Sequence, residues 1–339
     1  MNRRAFCSLA ATVRLAPGVS NKIRAAVIGT AHGHAASKIR ALSRLPEYEL
    51  AGVCRTSDSD PDVDGVRWLA LDEVLTDPSI EMVAVETRPG PNLGFAEKCV
   101  GAGKFVHLDK PPGADLGRLR ALLAEAHSRG RVVQMGYQWR YHPAMQAAIE
   151  AARRGWLGDV YALRATIDKP LNREERRELA KFRGGFMFEE GCHLIDRAVD
   201  LLGKPKRVTG FMRHDSKIDD RLADNTLAIL EYDGALAEIY MAAFQPHGNL
   251  YRCLEISGTN GKATVQPYAP LKLMVDLKNA AGPYKAGAQT LEPAEPAGPT
   301  YAPDFLEMAR MIRDGMKPSY SPEHDLIVQE TLLQACGMS

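Results

Sequence analysis

A lysine at the end of an apolar run is the first candidate for chemistry in this chain. Lys110 follows Asp109 and residues 104–108, and two prolines come after it. Such a run predicts a buried strand that presents charge at its carboxyl end, which is where open parallel sheets bind ligands. We therefore predict that Lys110 is a catalytic residue.

A second candidate segment carries a carboxylate and an imidazole. Glu189 and His193 are four residues apart after a Gly-Gly pair, so they share a face if the segment is helical. A carboxylate beside an imidazole can fix its tautomer and raise its basicity. This spacing predicts catalytic roles for Glu189 and His193, the alternative being a histidine that packs within its own helix.

A glycine-containing turn precedes these segments and could bind a dinucleotide. Such a site needs a tight turn, a close backbone approach to a pyrophosphate and a helix N-terminus aimed at it. Gly29 fits this pattern, whereas Ala31 and His34 replace its second and third glycines. A turn without ligand is the alternative. No third ligand is close in sequence to the two histidines, so we predict no metal. The candidate cofactor-binding residues here are Gly29, Thr30, Ala31, His32, Gly33 and His34.

The end of the next predicted strand bears on the choice of cofactor. Arg55, Thr56 and Ser57 stand where an acidic residue would bind the ribose 2′-hydroxyl of NAD. An arginine with two hydroxyls suits a 2′-phosphate, so this pattern favours NADP over NAD, with a solvated arginine as the alternative.

Aromatic and charged residues follow at the junction of the two halves of the chain. Tyr137 and Arg140 could line a cleft for a polar ligand, although interdomain packing is an equal alternative. Arg183 and Asp196 flank the segment that contains His193. We predict that these four residues contact substrate.

The elements that position these residues fall into two patterns. Residues 21–142 alternate apolar strands with helices, which predicts an α/β fold with a doubly wound parallel Rossmann sheet. Residues 143–320 carry long strands with Asp-Gly and Asn-Gly turns, which predict an α+β domain with a large open, mostly antiparallel sheet. Residues 281–303, rich in Pro, Gly and Ala, predict a loop, and residues 321–339 predict a C-terminal helix.

Composition limits the partners and leaves the compartment open. The formal net charge is +1 and charged residues make up 25%, so we expect neither nucleic acid nor a membrane as a partner. The six cysteines form no C-x-x-C pair, which predicts buried free thiols. Arg3 and Arg4 begin a candidate twin-arginine signal within residues 1–20, and periplasmic and cytoplasmic locations remain equal alternatives.

Together these segments resemble the Gfo/Idh/MocA family, which includes glucose–fructose oxidoreductase and inositol dehydrogenase. The resemblance rests on residues 109–111, 137–143, 184–196 and 321–325. It implies NAD(P)-dependent hydride transfer to or from a sugar, polyol or related carbinol. It also implies a C-terminal helix packed against the Rossmann domain, and homo-oligomers formed through the open sheet face.

The resemblance assigns roles residue by residue. Lys110 matches the catalytic lysine of the family, His193 its catalytic histidine, and Glu189 a position usually occupied by Asp. Thr87 and Arg88 stand where the family has a Thr-Pro start to a cofactor loop, and Asp109 stands in place of Glu. We predict that Thr87, Arg88, Asp109 and Lys110 also bind the cofactor. We expect Lys110 to stabilise charge on the substrate oxygen, with a pKa lowered by burial near a cation.

Two other functions are compatible with the same residues. One is a hydrolase or lyase that uses a retained nicotinamide as a transient oxidant. The other is a non-catalytic binding protein with a decayed dinucleotide site, which the replacements at Ala31, His34 and Arg88 motivate.

Overall fold

The first half of the chain forms a Rossmann-like domain. The computed structural model describes residues 22–58 and 60–338. Six parallel strands lie in the order β3-β2-β1-β4-β5-β6. The central strands read as continuous apolar runs because helices cover both faces of such a sheet. The elements are β1 (Ile23–Ile28), α1 (Ala35–Arg44), β2 (Tyr48–Cys54), β3 (Trp68–Leu69), α2 (Leu71–Thr76), β4 (Met82–Val85), α3 (Pro89–Gly101), β5 (Phe105–Leu108), α4 (Leu116–Ser128) and β6 (Val133–Met135).

The second half is built on a sheet of eight strands in the order β14-β13-β12-β11-β7-β10-β9-β8. All neighbours are antiparallel except β10 and β7. After a 3-10 turn at Gln138–Tyr141, the elements are α5 (Pro143–Arg153), β7 (Val160–Thr166), α6 (Arg173–Leu179), α7 (Gly185–Leu202), β8 (Arg207–Arg213), β9 (Asn225–Glu231), β10 (Leu236–Ala242), β11 (Cys253–Gly258), β12 (Gly261–Val265), β13 (Leu273–Leu277), β14 (Gly287–Leu291), α8 (Ala302–Asp314) and α9 (Pro322–Ala335). The predicted fold class is confirmed.

The two faces of the large sheet differ in exposure. Helices α5 and α7 pack on one face, where alternate residues of each strand are buried. On the other face Phe211, Leu236 and Met274 are about half exposed, at 51%, 54% and 45%. The described part of the chain therefore presents an open sheet face with large apolar side chains.

One prediction about the second half is wrong. Residues 281–303 were predicted to form a loop, yet β14 lies within them and pairs with β13. Its sequence, Gly-Ala-Gln-Thr-Leu, lacks the alternation of apolar residues that indicates a strand. The backbone groups of β13 form hydrogen bonds with β14 whatever its side chains are, so this edge strand forms without an apolar alternation.

The last two helices return to the first domain. Phe305 and Met308 of α8 join the core formed by β1 and α1, where they cover one face of the parallel sheet. Helix α9 packs between α7 and α4, and therefore touches both domains. The expected buried thiols are confirmed for Cys54, Cys99, Cys192 and Cys336, while Cys253 is half-buried.

Within the described ranges, no helix has the length and apolar character that crossing a membrane requires. The candidate twin-arginine signal lies outside the described residues.

Candidate active site

The glycine-containing turn after β1 lies against the loop that follows β4. Gly29 has a φ of +86°, and a Cβ atom placed on it would lie 2.8 Å from Cγ2 of Thr87. Both the left-handed backbone and this close approach require glycine. The turn therefore brings the N-terminus of α1 to the carboxyl edge of the sheet, beside the Thr87 loop.

Two adjoining chambers lie along this edge. A chamber of about 430 Å³ is lined at one end by Thr56, Asp60 and Phe95. A second chamber, of about 220 Å³, ends at Lys110 and at the start of α7. The chambers share lining residues and so adjoin each other, and together they are called here the interdomain groove. The shared residues are Ala31, Arg88, Pro89, Glu178 and Leu179.

Lys110 is fully buried and is held by the second domain. Its Nζ lies 3.0 Å from Oε1 of Glu189, 3.1 Å from the Glu189 carbonyl oxygen and 3.6 Å from Oε2 of Glu190. The expected lowering of the Lys110 pKa is wrong. Burial alone would lower this pKa, but the charges of Glu189 and Glu190 outweigh burial and raise it. Lys110 is therefore a stable ammonium group.

His193 lies deeper on α7, against the junction between the domains. The predicted pairing of His193 with Glu189 is not observed, because the Glu189 carboxylate contacts Lys110. The next residue, Glu190, is the carboxylate closer to the imidazole. Oε2 of Glu190 lies 3.9 Å from Nε2 of His193. In the described part of the chain neither ring nitrogen of His193 has a hydrogen-bond partner. Burial and the nearby ammonium of Lys110 lower the pKa of His193, which keeps the imidazole neutral.

A group of buried charges lies beneath the Gly29 turn. Oδ2 of Asp109 lies 3.0 Å from Nδ1 of both His32 and His34, and 2.8 Å from Nζ of Lys38. Nζ of Lys38 also lies 2.9 Å from Oε1 of Glu86. Lys38 was not among the predicted site residues, although it is four residues from His34 on the same helix.

His32 joins this group to the second domain. Its Nε2 lies 3.3 Å from Oε1 of Glu189, while its Nδ1 faces Asp109. Burial lowers the pKa of His32, but these two carboxylates outweigh burial and raise the pKa to about 9. Burial lowers the pKa of His34 to about 4. The two imidazoles therefore carry different charges at neutral pH.

His32, His34 and Asp109 also present three potential metal-ligand atoms within 4.8 Å of one another, and the sequence did not reveal the contribution of Asp109. The ammonium of Lys38 already balances this carboxylate at 2.8 Å. The absence of a metal stays a prediction.

The end of β2 has a different environment from the one expected. Nη1 of Arg55 donates to the carbonyl oxygen of Asp60, Nη2 of Arg55 pairs with Asp62, and the guanidinium stacks on Trp68. Oδ2 of Asp60 accepts from the backbone N–H and the hydroxyl of Thr56, at 2.8 Å and 2.9 Å. The donors that the sequence assigned to a 2′-phosphate are thus engaged by the carboxylates of Asp60 and Asp62 and by a backbone carbonyl oxygen, and Asp60 was not among the predicted residues.

Two of the predicted substrate residues form a buried ion-pair cluster instead. Arg140 donates to Asp196 at 2.7 Å and pairs with Asp325. Asp196 also accepts from Arg197 at 2.6 Å and lies 2.9 Å from Nε2 of His324. These groups satisfy one another and line neither chamber of the groove, so the prediction that Arg140 and Asp196 contact substrate is not supported by their placement.

The other predicted residues, Tyr137, Arg183 and Arg88, lie in three different surroundings. The Tyr137 ring lies 6.2 Å from the His193 ring, and its buried hydroxyl has no partner among the described residues. Neither Tyr137 nor His193 lines a chamber of the groove; both are buried behind its Lys110 end. Arg183 is exposed beside Gly337, in a depression that Gly210 and Arg221 also line. Arg88 reaches across the mouth of the groove, and its Nη2 donates to Glu174 of α6 at 2.7 Å.

Glu190 is the residue near the catalytic candidates that sequence reasoning missed. It contacts Lys110 and lies three residues before His193 on α7, a spacing that also places side chains on one face. The sequence contains this signal, but the four-residue spacing between Glu189 and His193 predicted Glu189 instead.

Two family models match the chain. Residues 23–137 match the oxidoreductase family with an NAD-binding Rossmann fold, and residues 145–264 match the GFO/IDH/MocA C-terminal domain. The chain is 27% identical over 211 residues to trans-1,2-dihydrobenzene-1,2-diol dehydrogenase of Mus musculus, covering 61% of this chain and 62% of the relative. It is also 27% identical over 198 residues to the uncharacterized oxidoreductase YdgJ of Escherichia coli, covering 56% and 57%. The alignments thus span about three fifths of these relatives.

Solved structures have the same fold. GenD2 from gentamicin A biosynthesis, in complex with NAD, superposes with a TM-score of 0.78 at 24% identity, over 95% of each chain. The aldose–aldose oxidoreductase of Caulobacter crescentus superposes with a TM-score of 0.76 at 20% identity, over 93% of this chain and 98% of that one. With both domains matched by models of one family and this architecture shared, the chain belongs to the Gfo/Idh/MocA family of oxidoreductases.

Proposed function

We propose that this protein is a nicotinamide-dependent oxidoreductase that transfers a hydride between NAD(P) and the carbinol carbon of a diol, sugar or related polyol. One observation carries the proposal. Lys110 of the first domain and His193 of the second face the same Glu190 carboxylate, at 3.6 Å and 3.9 Å. A charged donor therefore lines one end of the interdomain groove, and a neutral imidazole is buried directly behind it, next to Glu190. The names of the diol dehydrogenase and aldose oxidoreductase relatives support this substrate class.

The groove has features that fit a dinucleotide. The Gly29 turn provides the close backbone approach that a pyrophosphate needs. Glu189 lines the other end, and its Oε2 has no partner in the described chain; behind it, both ring nitrogens of His193 and the Tyr137 hydroxyl are also buried without partners. Buried polar atoms in native proteins are rarely left unpaired, so these atoms support a polar ligand between the domains.

The environment of β2 supports NAD over NADP, the reverse of the preference expected from the sequence. Asp60 lines the chamber at this end and carries a carboxylate, the group that accepts from a ribose 2′-hydroxyl. A 2′-phosphate placed there would face the carboxylate of Asp60. The names of other family structures mention NAD in one case and NADPH in another.

A binding measurement tests this preference without any substrate. We expect calorimetry to show tighter binding of NAD than of NADP. Asp60→Asn should reduce the ratio of the two dissociation constants by about tenfold or more. Asp62→Asn is the matched control, because Asp62 is exposed and lines neither chamber. Equal binding of both nucleotides to the unaltered protein would contradict the preference.

Residues of this chain would remove the proton of the substrate hydroxyl in this reaction. Bound nicotinamide supplies the hydride acceptor or donor. Neutral His193 takes the proton from the substrate hydroxyl during oxidation, and Lys110 donates a hydrogen bond to the same oxygen as negative charge develops. Glu189 and Glu190 keep Lys110 charged, and the corrected geometry makes Glu190 the carboxylate nearest to His193.

The direct test follows reduced nicotinamide by absorbance while the protein is offered trans-1,2-diols, aldoses and cyclic polyols. We expect turnover with members of this panel and its loss in Lys110→Met, with nucleotide binding unchanged. Conversion of a glycoside without net formation of reduced nicotinamide would instead identify a hydrolase or lyase. Failure to bind either nucleotide would identify a non-catalytic binding protein.

We also propose that the protein forms homo-oligomers through the open sheet face. The exposed apolar side chains of this face, among them Phe211 and Leu236, border a row of charges in which Arg164 lies 3.7 Å from Glu238 and 3.6 Å from Glu255. A second copy could cover the apolar residues and pair with the charged ones. Sedimentation should show an oligomer that Phe211→Glu dissociates, and a monomeric unaltered protein would refute this arrangement.

A further inference from the structure

A second cavity lies at the junction between the domains, apart from the interdomain groove. Its volume is about 250 Å³, and none of its lining residues in the described chain lines either chamber of the groove. Its walls come from the 3-10 turn, the segment before β13 and the N-terminus of α8. We call it the tyrosine cavity after Tyr141, Tyr268 and Tyr301, which line it together with Gln138, Glu295 and Asp304.

Aromatic packing separates this cavity from the candidate base. The Trp139 ring stacks on the His193 ring at 6.1 Å and on the Tyr268 ring at 5.3 Å. Tyr268 lines the tyrosine cavity, whereas His193 does not. A ligand of this cavity therefore need not be the substrate of the groove.

Asp304 is the buried polar group that requires a partner here. It is 2% exposed, and its Oδ1 has no hydrogen-bond partner in the described chain. Burial raises the pKa of Asp304 to about 7, so the carboxyl is poised between its two charge states at neutral pH. A buried carboxylate is costly unless it is paired, so a cationic ligand would stabilise it.

The lining residues exclude other ligand classes. Neither lysine nor arginine lines the tyrosine cavity within residues 22–58 and 60–338, so an anion would have no counter-charge. A purely apolar ligand would leave Asp304 without a partner. Tyrosine faces attract cations, and the ring of Tyr301 already has Nζ of Lys38 at 5.3 Å from its centroid.

We propose that the tyrosine cavity binds a small organic ammonium ion, with Asp304 as its counter-ion and the tyrosine rings as its walls. Glu295, exposed at the cavity, adds a second carboxylate. The volume limits the ligand to a small amine or quaternary ammonium group, such as that of choline. This inference is independent of the proposed hydride transfer, because its test contains no nucleotide and no diol.

The charge of Asp304 makes the binding depend on pH. The ammonium pairs with the ionised carboxylate, so affinity falls as the pH drops below about 7. The other titratable and charged groups near this carboxyl or lining the cavity are Lys38 from α1, Asp109 after β5, Tyr141 and His142 at the 3-10 turn, Tyr268 and Glu295 from the loops, and Tyr301 and Glu307 at α8. Lys38 stays paired with Glu86 and Asp109 and does not compete for the site.

Calorimetry on the full chain with choline as the probe tests the proposal. We expect choline to bind at least about tenfold more tightly than its neutral carbon isostere, dimethylbutanol, at equal ionic strength. Asp304→Asn should weaken choline binding by about tenfold or more. The matched control is Asp314→Asn at the other end of α8, which should leave binding unchanged.

A third variant keeps the test decisive if Asp304→Asn fails to fold. Tyr268→Leu removes one aromatic wall and should also weaken choline binding, with circular dichroism confirming the fold. The proposal is overturned if choline and dimethylbutanol bind the unaltered protein equally, if choline does not bind, or if a folded Asp304→Asn variant binds choline as tightly as the unaltered protein.

Discussion

Replacing His32 by glutamine should lower the free energy of unfolding by an amount that depends on pH. His32 joins Asp109 of the first domain to Glu189 of the second, at 3.0 Å and 3.3 Å. These carboxylates overcome the effect of burial and raise its pKa from 6.5 to about 9. At about 1.4 kcal/mol for each unit of pKa shift, this rise corresponds to about 3 kcal/mol of stabilisation of the folded protein.

The sign of the pH dependence follows from the direction of this shift. The folded protein holds the proton on His32 more tightly than the unfolded chain does. The stabilisation is therefore fully present below pH 6.5 and disappears as the pH rises through about 9. Urea unfolding of both proteins should show a penalty for His32→Gln that is about 3 kcal/mol larger near pH 6 than near pH 10.

The matched control is His127→Gln, because His127 is exposed on α4. Its effect on the free energy of unfolding should be within about 0.5 kcal/mol at both pH values. A His32→Gln penalty that stays constant with pH, or that grows as the pH rises, would refute the assignment of His32 as a charged bridge between the domains.

Three further predictions concern the site and the turn beside it. Lys110→Met should lower kcat of the proposed oxidation by about 10²–10³, measured by absorbance, while calorimetry shows unchanged nucleotide binding; retained turnover would exclude the role. Because the pKa of His193 is lowered, oxidation should lose its base only well below pH 6.5, and a pH–rate profile with the loss of the base at or above 6.5 would contradict a buried neutral base. Gly29→Ala should destabilise the protein by about 1–3 kcal/mol in urea unfolding, because its φ is +86° and its Cβ would lie 2.8 Å from Thr87; an unchanged midpoint would mean that the turn can relax.

The sequence predicts much of the first domain for a physical reason. Strands such as β4 and β5 are buried on both faces, so they appear as short apolar runs between helical segments. The polar residue that follows such a run lies at the edge where ligands bind, which is how Lys110 could be placed at the groove. The meeting of Lys110 with α7 depended on the resemblance to a family, because no local pattern relates residues so far apart in sequence.

What the sequence did not reveal depends on contacts between distant segments. The pKa of Lys110 was predicted in the wrong direction because the carboxylates beside it come from α7. Asp60 lies on a loop whose course no periodicity describes, and Lys38 looks like an ordinary residue of a surface helix until Glu86 and Asp109 are placed next to it. Strand β14 was missed because hydrogen bonds to its neighbour, rather than its own composition, form it.

The position of α8 has a consequence for how the protein is made. The helix that closes one face of the parallel sheet begins at Ala302, while the strands it covers begin at Ile23. A ribosome must therefore synthesise every described strand of both sheets before this face can be shielded from water. During translation the early strands expose a surface suited to chaperone binding, and a nascent chain arrested before α8 should aggregate or remain chaperone-bound.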